Sequence, residues 1–150
     1  MDKISTGAAF LDAMLGGGYD ADIITTVFGP SGAGKTNLCI MAAAQAAESG
    51  KKVLFVDTEG GIAVERVKQV SSDYQAVLER IIFFNPVTFS EQNDIFEKLK
   101  EMVNEQIGLI VVDSISMLYR LELGKNEEVY GVNTALGRQI AYLVEIARKK

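Results

Sequence analysis

A glycine-rich loop between an apolar run and a helix-forming segment constrains this fold more than any other feature of the sequence. Residues 29–36 read Gly-Pro-Ser-Gly-Ala-Gly-Lys-Thr, which has the glycine, lysine and threonine spacing of a phosphate-binding loop (P-loop). The apolar run 23–28 precedes the loop, and good helix formers follow it in residues 37–48. Curled glycine backbone and a helix N-terminus together bind phosphate. The sequence therefore predicts a nucleotide-binding loop between a buried strand and a helix.

The residues of this loop have different predicted roles in an ATP–Mg²⁺ site. Lys35 is expected to reach the β- and γ-phosphates and to assist catalysis, and Thr36 is expected to give its hydroxyl to Mg²⁺. A glycine-rich turn with a surface lysine is the alternative interpretation. The predicted nucleotide-binding residues are Gly29, Pro30, Ser31, Gly32, Ala33, Gly34, Lys35, Thr36 and Asn37.

Two acidic residues follow apolar runs and are candidates for the same site. Asp113 closes the run 109–112, as in a Walker B strand, and would hold Mg²⁺ directly or through water. The alternative for Asp113 is a cap on the next turn. Glu59 follows the run that ends at Val56-Asp57, and it is the predicted base that orients the attacking water. By spacing alone, Glu59 is equally well an ordinary loop carboxylate.

Composition limits the chemistry that is available to the chain. The sequence has no histidine and one cysteine, Cys39, which excludes histidine acid–base chemistry and an internal disulfide. A formal net charge of −5 argues against a strongly basic nucleic-acid surface. There is no signal-like apolar start and no membrane-length apolar run, so a cytoplasmic protein without membrane contact is expected.

Alternation of apolar runs and helix-like segments predicts the fold class. The runs 23–28, 53–56, 81–84 and 109–112 are each followed by a helix-like segment, which indicates an α/β protein with a mostly parallel sheet flanked by helices. Gly50 is a predicted helix stop, and Thr88 with Glu91 is a predicted capping box. A helix over 135–148 should pack on the core through one apolar face, which comprises Leu136, Ile140, Leu143, Val144 and Ala147.

Several segments together resemble the RecA/RadA recombinase superfamily, most closely its archaeal RadB branch. The likeness covers essentially all of residues 1–150. Besides the P-loop, it is carried by Ile4-Ser5-Thr6-Gly7, Leu11-Asp12, Leu15-Gly16-Gly17-Gly18, Asp57-Thr58-Glu59-Gly60-Gly61, Glu65-Arg66, Val112-Asp113-Ser114 and Tyr119-Arg120.

The resemblance implies a RecA-like P-loop NTPase core over residues 1–150. In that family the glutamate corresponding to Glu59 activates water, and the arginine corresponding to Arg66 packs on adenine. A solvated helix charge is the alternative for Arg66. The implied function is ATP binding with weak or DNA-dependent hydrolysis in homologous recombination and DNA repair. The chain would act as a paralogue or mediator beside a RadA-type recombinase on single-stranded DNA, and it could form oligomers.

The first DNA loop of the family would fall between Arg120 and Asn133. Arg120 and Lys125 match its basic positions, the latter only if one residue is deleted, and Tyr130 offers a face for base stacking. Three acids in this loop oppose DNA contact, so a solvated loop is the alternative interpretation. These acids are Glu122, Glu127 and Glu128.

Departures from the family pattern lead to a further expectation about the sheet. The chain starts directly at the core, without a helix-hairpin-helix domain or polymerisation motif, and stops before the family's sensor strand and second DNA loop. Apparent C-terminal truncation is therefore expected. The strand that ends at Asp113 should lie beside the one that ends at Val56, with 81–84 outside them. A central gap should separate 23–28 from 109–112.

A regulatory or signalling ATPase of the KaiC-like branch is the second hypothesis for function. The segment that precedes the P-loop in that branch resembles Ser5-Thr6-Gly7 and residues 15–18 of this chain equally well. That branch tends to have a Glu-Glu pair where this chain has 57–61, and it lacks the Glu65-Arg66 pair. The residues after the second apolar run therefore favour the recombinase branch.

Overall fold

A small antiparallel pair lies near the start of the computed structural model, which describes residues 2–30, 32–60, 64–125 and 129–148. Strand β1 (Lys3–Ile4) pairs with β2 (Tyr19–Asp20), and helix α1 (Ala9–Met14) comes between them in sequence. Asp12 ties this segment together: its carboxylate accepts hydrogen bonds from the Ser5 hydroxyl at 2.6 Å and from the Thr6 hydroxyl and N–H at 2.6 and 2.7 Å. These hydrogen bonds hold the pKa of Asp12 below its usual value.

The remaining elements alternate between helix and strand in the manner of an α/β protein. In chain order they are α2 (Lys35–Glu48), β3 (Lys52–Asp57), α3 (Val64–Val70), α4 (Tyr74–Arg80), β4 (Ile81–Phe84), α5 (Phe89–Met102), β5 (Ile107–Asp113), α6 (Met117–Lys125) and α7 (Val129–Arg148). Within the described ranges, no helix is both long and apolar enough to cross a membrane.

Strands β3, β4 and β5 form a three-stranded parallel sheet in the order β4-β3-β5. The register places Val56 opposite both Phe84 and Val112, and Asp57 opposite Asp113. The expected strand order is therefore confirmed. Because the strands are parallel, the residues at their carboxyl ends meet at one edge of the sheet, where phosphate sites of open α/β sheets lie.

Both faces of the sheet are covered by helices. One core cluster joins Val53 and Phe55 of β3 to helices α2, α3 and α4, and the other joins Leu54 and Val56 to helices α5 and α7. Alternating side chains of a strand point to opposite faces. The four residues are at most 1% exposed, which explains why this run is continuously apolar.

The predicted helix boundaries agree with the structure. Gly50 follows α2 with φ +93°, a conformation that favours glycine. At the start of α5, the Thr88 hydroxyl accepts a hydrogen bond from Glu91 N–H at 3.1 Å. The Glu91 carboxylate accepts in return from Val87 N–H at 2.8 Å rather than from Thr88, so the box closes one residue earlier than the standard pattern.

The prediction of a buried strand over 23–28 is wrong for this structure. Residues 23–28 have no strand assignment and form no ladder with β3, β4 or β5. All of them are exposed, including Ile23, Ile24 and Val27, and Phe28 is 90% exposed. A strand needs a neighbour for its backbone hydrogen bonds, and no described strand lies next to this segment. The expectation that this segment does not pair directly with β5 is confirmed.

Helix α7 also differs in part from the expected helix over 135–148. It begins earlier, at Val129, and its buried residues are Val132, Gln139 and Ile146. Leu136 and Leu143 pack against core clusters as expected, but Ile140 is 40% exposed. The helix is thus rotated relative to the predicted apolar face, and it buries Gln139 against a second glutamine on α5.

Candidate functional site

The glycine-rich loop leads directly into α2, as the sequence predicts. Gly32 and Gly34 have φ values of +81° and +96°, which residues with a side chain rarely adopt. Lys35 is the first residue of α2, so the loop amides adjoin the helix N-terminus. This arrangement favours phosphate, since unpaired N–H groups and the helix dipole both attract negative charge. Ser31 lies outside the described residues, and its predicted contact stays a prediction.

Lys35 and Thr36 make hydrogen bonds to different parts of the site. The Lys35 ammonium donates a hydrogen bond to the Gly29 carbonyl at 2.5 Å, closing the loop on itself. The Thr36 hydroxyl donates to Asp113 Oδ2 at 2.9 Å. The loop and the end of β5, 77 positions apart in sequence, are therefore in direct contact.

Asp57 and Glu59 have different surroundings at the end of β3. Asp57 is 4% exposed, and its Oδ1 accepts hydrogen bonds from the N–H groups of Glu59 at 3.1 Å and Gly60 at 2.9 Å. Asp57 therefore shapes the turn through its side chain. Glu59 is exposed and makes no side-chain hydrogen bond in the part of the chain that the structure describes. Its carboxylate is available to water.

Thr58 links the carboxyl ends of β3 and β5. Its N–H donates to the Asp113 carbonyl at 2.8 Å, and its hydroxyl donates to the Ser114 carbonyl at 2.9 Å. The same hydroxyl accepts from Ser114 N–H at 2.8 Å. Thr58 is 7% exposed, so these bonds are shielded from water. The link holds the turn that carries Glu59 beside the strand end that carries Asp113.

Arg66 lies next to the start of α2. Its Nη1 donates a hydrogen bond to Asn37 Oδ1 at 2.8 Å. This bond joins α3 to α2, the helix that follows the P-loop. Both residues were predicted to contact nucleotide, and the structure places them together. A role on adenine is not tested by this contact and stays a prediction.

The oxygen atoms at the loop fit Mg²⁺ rather than a soft metal. Thr36 and Asp113 offer a hydroxyl and a carboxylate, the ligand types of Mg²⁺ in phosphate-transfer sites. In the described residues no group of three or more His, Cys, Asp or Glu side chains could hold a metal. A site of this kind needs phosphate oxygens and water as further ligands, which is how Mg²⁺ is usually bound.

Cys39 lies near the site but does not offer a reactive thiolate. Burial raises its pKa to about 11, and the negative charge of Asp113 adds to the increase. The thiol therefore stays protonated at neutral pH, and Cys39 packs against the core cluster beneath α2.

The prediction of a loop from Arg120 to Asn133 is wrong for the described part of this segment, which belongs to helices α6 and α7. Arg120 is exposed on α6, and Tyr130 is 86% exposed at the start of α7. Tyr119 fixes the two helices to each other, because its hydroxyl donates to Asn133 Oδ1 at 2.5 Å. The Lys125 side chain and the acids Glu127 and Glu128 lie outside the described residues.

Sequence reasoning missed several contacts that shape this site, and two of them differ in whether a signal was visible. The Asp57 turn had a visible signal, an aspartate followed three residues later by Gly60, which has φ +70°. The Asn37–Arg66 hydrogen bond had no such signal, since it depends on how α3 packs beside α2.

The fold and the site define a class of protein: a RecA-like P-loop fold, in which the phosphate loop meets the acidic end of a parallel strand. The family model described as Rad51 matches residues 1–150, and the chain belongs to that family.

Individual relatives carry the name DNA repair and recombination protein RadB. The chain is 44% identical to one from Methanococcus maripaludis strain C7, over 93% of this chain and 65% of that protein. It is 43% identical to the one from Methanocaldococcus jannaschii, over 92% of this chain and 66% of that protein. The solved structure titled "Crystal structure of the RadB recombinase" superposes with a TM-score of 0.82 at 40% identity, covering 97% of this chain and 65% of that one. The chain thus spans about two thirds of the length of these relatives.

Proposed function

We propose that this chain binds ATP with Mg²⁺ at the P-loop and hydrolyses it slowly. The observation that carries the proposal is the 2.9 Å hydrogen bond between Thr36 and Asp113, which brings the hydroxyl of the loop and the Walker B carboxylate to one point. Bound Mg²⁺ would offset the phosphate charge there. The chain's own contributions are loop amides and Lys35 for the phosphates and the exposed Glu59 for the attacking water.

Replacement of Lys35 tests the binding site. Lys35→Ala should abolish measurable ATP–Mg²⁺ affinity in isothermal titration, since no other cation among the described residues is placed in the loop. Lys98→Ala is a matched control, because Lys98 is an exposed lysine on α5. Circular dichroism should show both variants folded. Unchanged affinity in folded Lys35→Ala would contradict the site.

The wider role that we propose is in homologous recombination and DNA repair, as a paralogue or mediator beside a RadA-type recombinase. It rests on membership of the Rad51 family and on the names of the relatives. The family match also favours this role over a KaiC-like signalling ATPase. Stimulation of ATP turnover by single-stranded DNA would distinguish the two, because a signalling module should be indifferent to DNA.

We propose contact with single-stranded DNA through residues 120–133, which include the end of α6 and the start of α7 and which we call the α6–α7 loop. The double reversal Arg120→Glu/Lys125→Glu should strongly weaken oligonucleotide binding and leave ATP affinity unchanged, since charge reversal there repels phosphates. Fluorescence anisotropy over a range of salt concentrations measures this. A control reversal of Lys98 and Arg138, which are exposed on α5 and α7, should have little effect. Affinity that the loop reversal leaves unchanged would contradict contact at this loop.

A further inference from the structure

A concave surface lies at the amino ends of β3 and β5, away from the P-loop. It encloses a volume of about 600 Å³ and is lined by Ser49, Gly50, Lys51, Lys52, Arg80, Glu105 and Gln106. We refer to it as the basic groove. Strand β3 runs from Lys52 to Asp57, and at about 3.3 Å per residue it separates the groove from the Asp57 edge by about 16 Å. The groove is therefore distinct from the candidate nucleotide site.

Two of the three cations in the basic groove are held by backbone carbonyls. Lys51 Nζ donates to the Glu105 carbonyl at 3.1 Å, and Arg80 Nη1 donates to the Ala47 carbonyl at 3.4 Å. The Lys51 stem also lies against Gly108, where an added Cβ would be 2.7 Å from Lys51 Cβ. The glycine thus leaves room for the lysine across β5. Cations held in place this way lose less entropy on binding a ligand.

The cations of the basic groove take part in no ion pair among the described residues. The ion pairs of the described residues are Lys3–Asp20, Lys68–Glu65 and Lys100–Glu145, and none of them includes a groove residue. Three cations and one carboxylate, that of Glu105, line the surface. Carbonyl contacts leave the charge in place, and Lys and Arg keep further N–H donors free. A local excess of positive charge therefore sits on a protein of net charge −5.

The lining of the basic groove indicates which anionic ligand it fits. No aliphatic or aromatic residue is among those that line it, although the lysine and arginine stems add apolar surface. Peptide partners are generally anchored by buried aromatic or aliphatic residues, and single-stranded bases are held by stacking on aromatic rings. A sugar–phosphate backbone needs only cations and hydrogen-bond donors. We propose that the basic groove binds the phosphodiester backbone of a nucleic acid strand, as a second contact separate from the α6–α7 loop.

The test compares two variants with the same change in charge. Lys51→Gln/Lys52→Gln removes two groove cations, and Lys98→Gln/Arg138→Gln removes two exposed cations elsewhere. Binding of a labelled thymidine oligonucleotide is measured by anisotropy across salt concentrations, in the natural chain and in the chain with the reversed α6–α7 loop. The second background removes the loop contact, so the residual binding reports the groove. Tripolyphosphate and polyglutamate serve as competitors.

We expect the groove variant to bind the oligonucleotide roughly tenfold more weakly at low salt. The slope of log affinity against log salt concentration should become shallower by about 1.4, which is about 0.7 for each lost phosphate contact. The control variant should resemble the natural chain, and Lys51→Arg/Lys52→Arg should retain affinity. Equal effects of the groove and control variants would overturn the proposal. The proposal would also be overturned if the groove variant kept its oligonucleotide affinity but lost binding of tripolyphosphate or polyglutamate. The groove would then bind free polyphosphate or an acidic protein.

Discussion

The carboxylates at the carboxyl edge of the sheet differ in what their oxygens already bind. Asp113 accepts from the Thr36 hydroxyl, and Asp57 accepts from two backbone N–H groups of its own turn. Glu59 is exposed and keeps its oxygens free within the described residues. A general base needs a free lone pair within reach of water. The geometry therefore favours Glu59 over Asp57 as the base.

Glu59→Gln separates chemistry from binding at this edge. The amide keeps the shape of the side chain but cannot take a proton from water, so ATP turnover should fall by about tenfold or more with ATP affinity nearly unchanged. Phosphate release and titration calorimetry measure the two quantities. Glu97→Gln, an exposed position on α5, is the charge-matched control. Turnover like that of the natural chain would show that the base lies elsewhere.

At the residue scale, the P-loop motif predicts much of the site, because phosphate binding depends on the conformation of neighbouring residues along the backbone. Lys35 and Thr36 follow from the loop pattern, and Asp113 follows from its place after an apolar run. The hydrogen bond between Asn37 and Arg66 could not be predicted, since the two residues come from separate helices, α2 and α3. Their relative placement depends on packing that periodicity does not specify.

Between elements, a buried polar contact joins α5 to α7. Gln92 Nε2 donates to Gln139 Oε1 at 2.7 Å and to the Ile115 carbonyl at 3.4 Å, and both glutamines are 0% exposed. Gln92 Oε1 and Gln139 Nε2 have no hydrogen-bond partner among the residues that the structure describes. Each unpaired buried group costs about 1–3 kcal/mol, so this pair stabilises the interface weakly at best.

A double-mutant cycle at these glutamines measures that balance. Gln139→Leu alone should destabilise the chain by about 1–3 kcal/mol, because it leaves Gln92 Nε2 without its closest acceptor. Gln92→Leu/Gln139→Leu should be more stable than the sum of the single effects, since both partners become apolar. Urea unfolding gives the free energies. A double variant that loses at least the sum of both single losses would contradict this account.

Sequence patterns predict these elements better than they predict their orientation. The continuous apolar runs of β3, β4 and β5 indicate strands buried on both faces, and the structure agrees. For α7, the spacing of apolar residues predicts that glutamine faces solvent, whereas the structure buries Gln139 and exposes Ile140. The buried partner of Gln139 is Gln92, 47 positions away, and a local pattern cannot detect such a contact.

At the scale of the whole molecule, the parallel sheet has an open edge at β5, and one apolar segment of the described chain pairs with no strand. In the described residues β5 pairs with β3 on one side and with no strand on the other. Residues 23–28 lead into the P-loop and expose Ile23, Ile24, Val27 and Phe28. Burial of such a side chain contributes about 1.5–3 kcal/mol, so leaving them exposed forfeits a large part of a domain's stability.

We predict that a further strand pairs with β5 and with residues 23–28 when it is supplied from outside these 150 residues, by additional chain or by a partner. Hydrogen exchange followed by mass spectrometry can compare this chain alone with the chain joined to the remaining third of the Methanocaldococcus jannaschii relative. Amides of 23–28 and those of β5 that do not bond to β3 should become protected, because a ladder shields them from solvent. The outer edge of β4 (Ile81–Phe84) is the internal control and should be unchanged. If 23–28 stays unprotected in the joined chain, or becomes protected by direct pairing with β5, the predicted strand order is wrong.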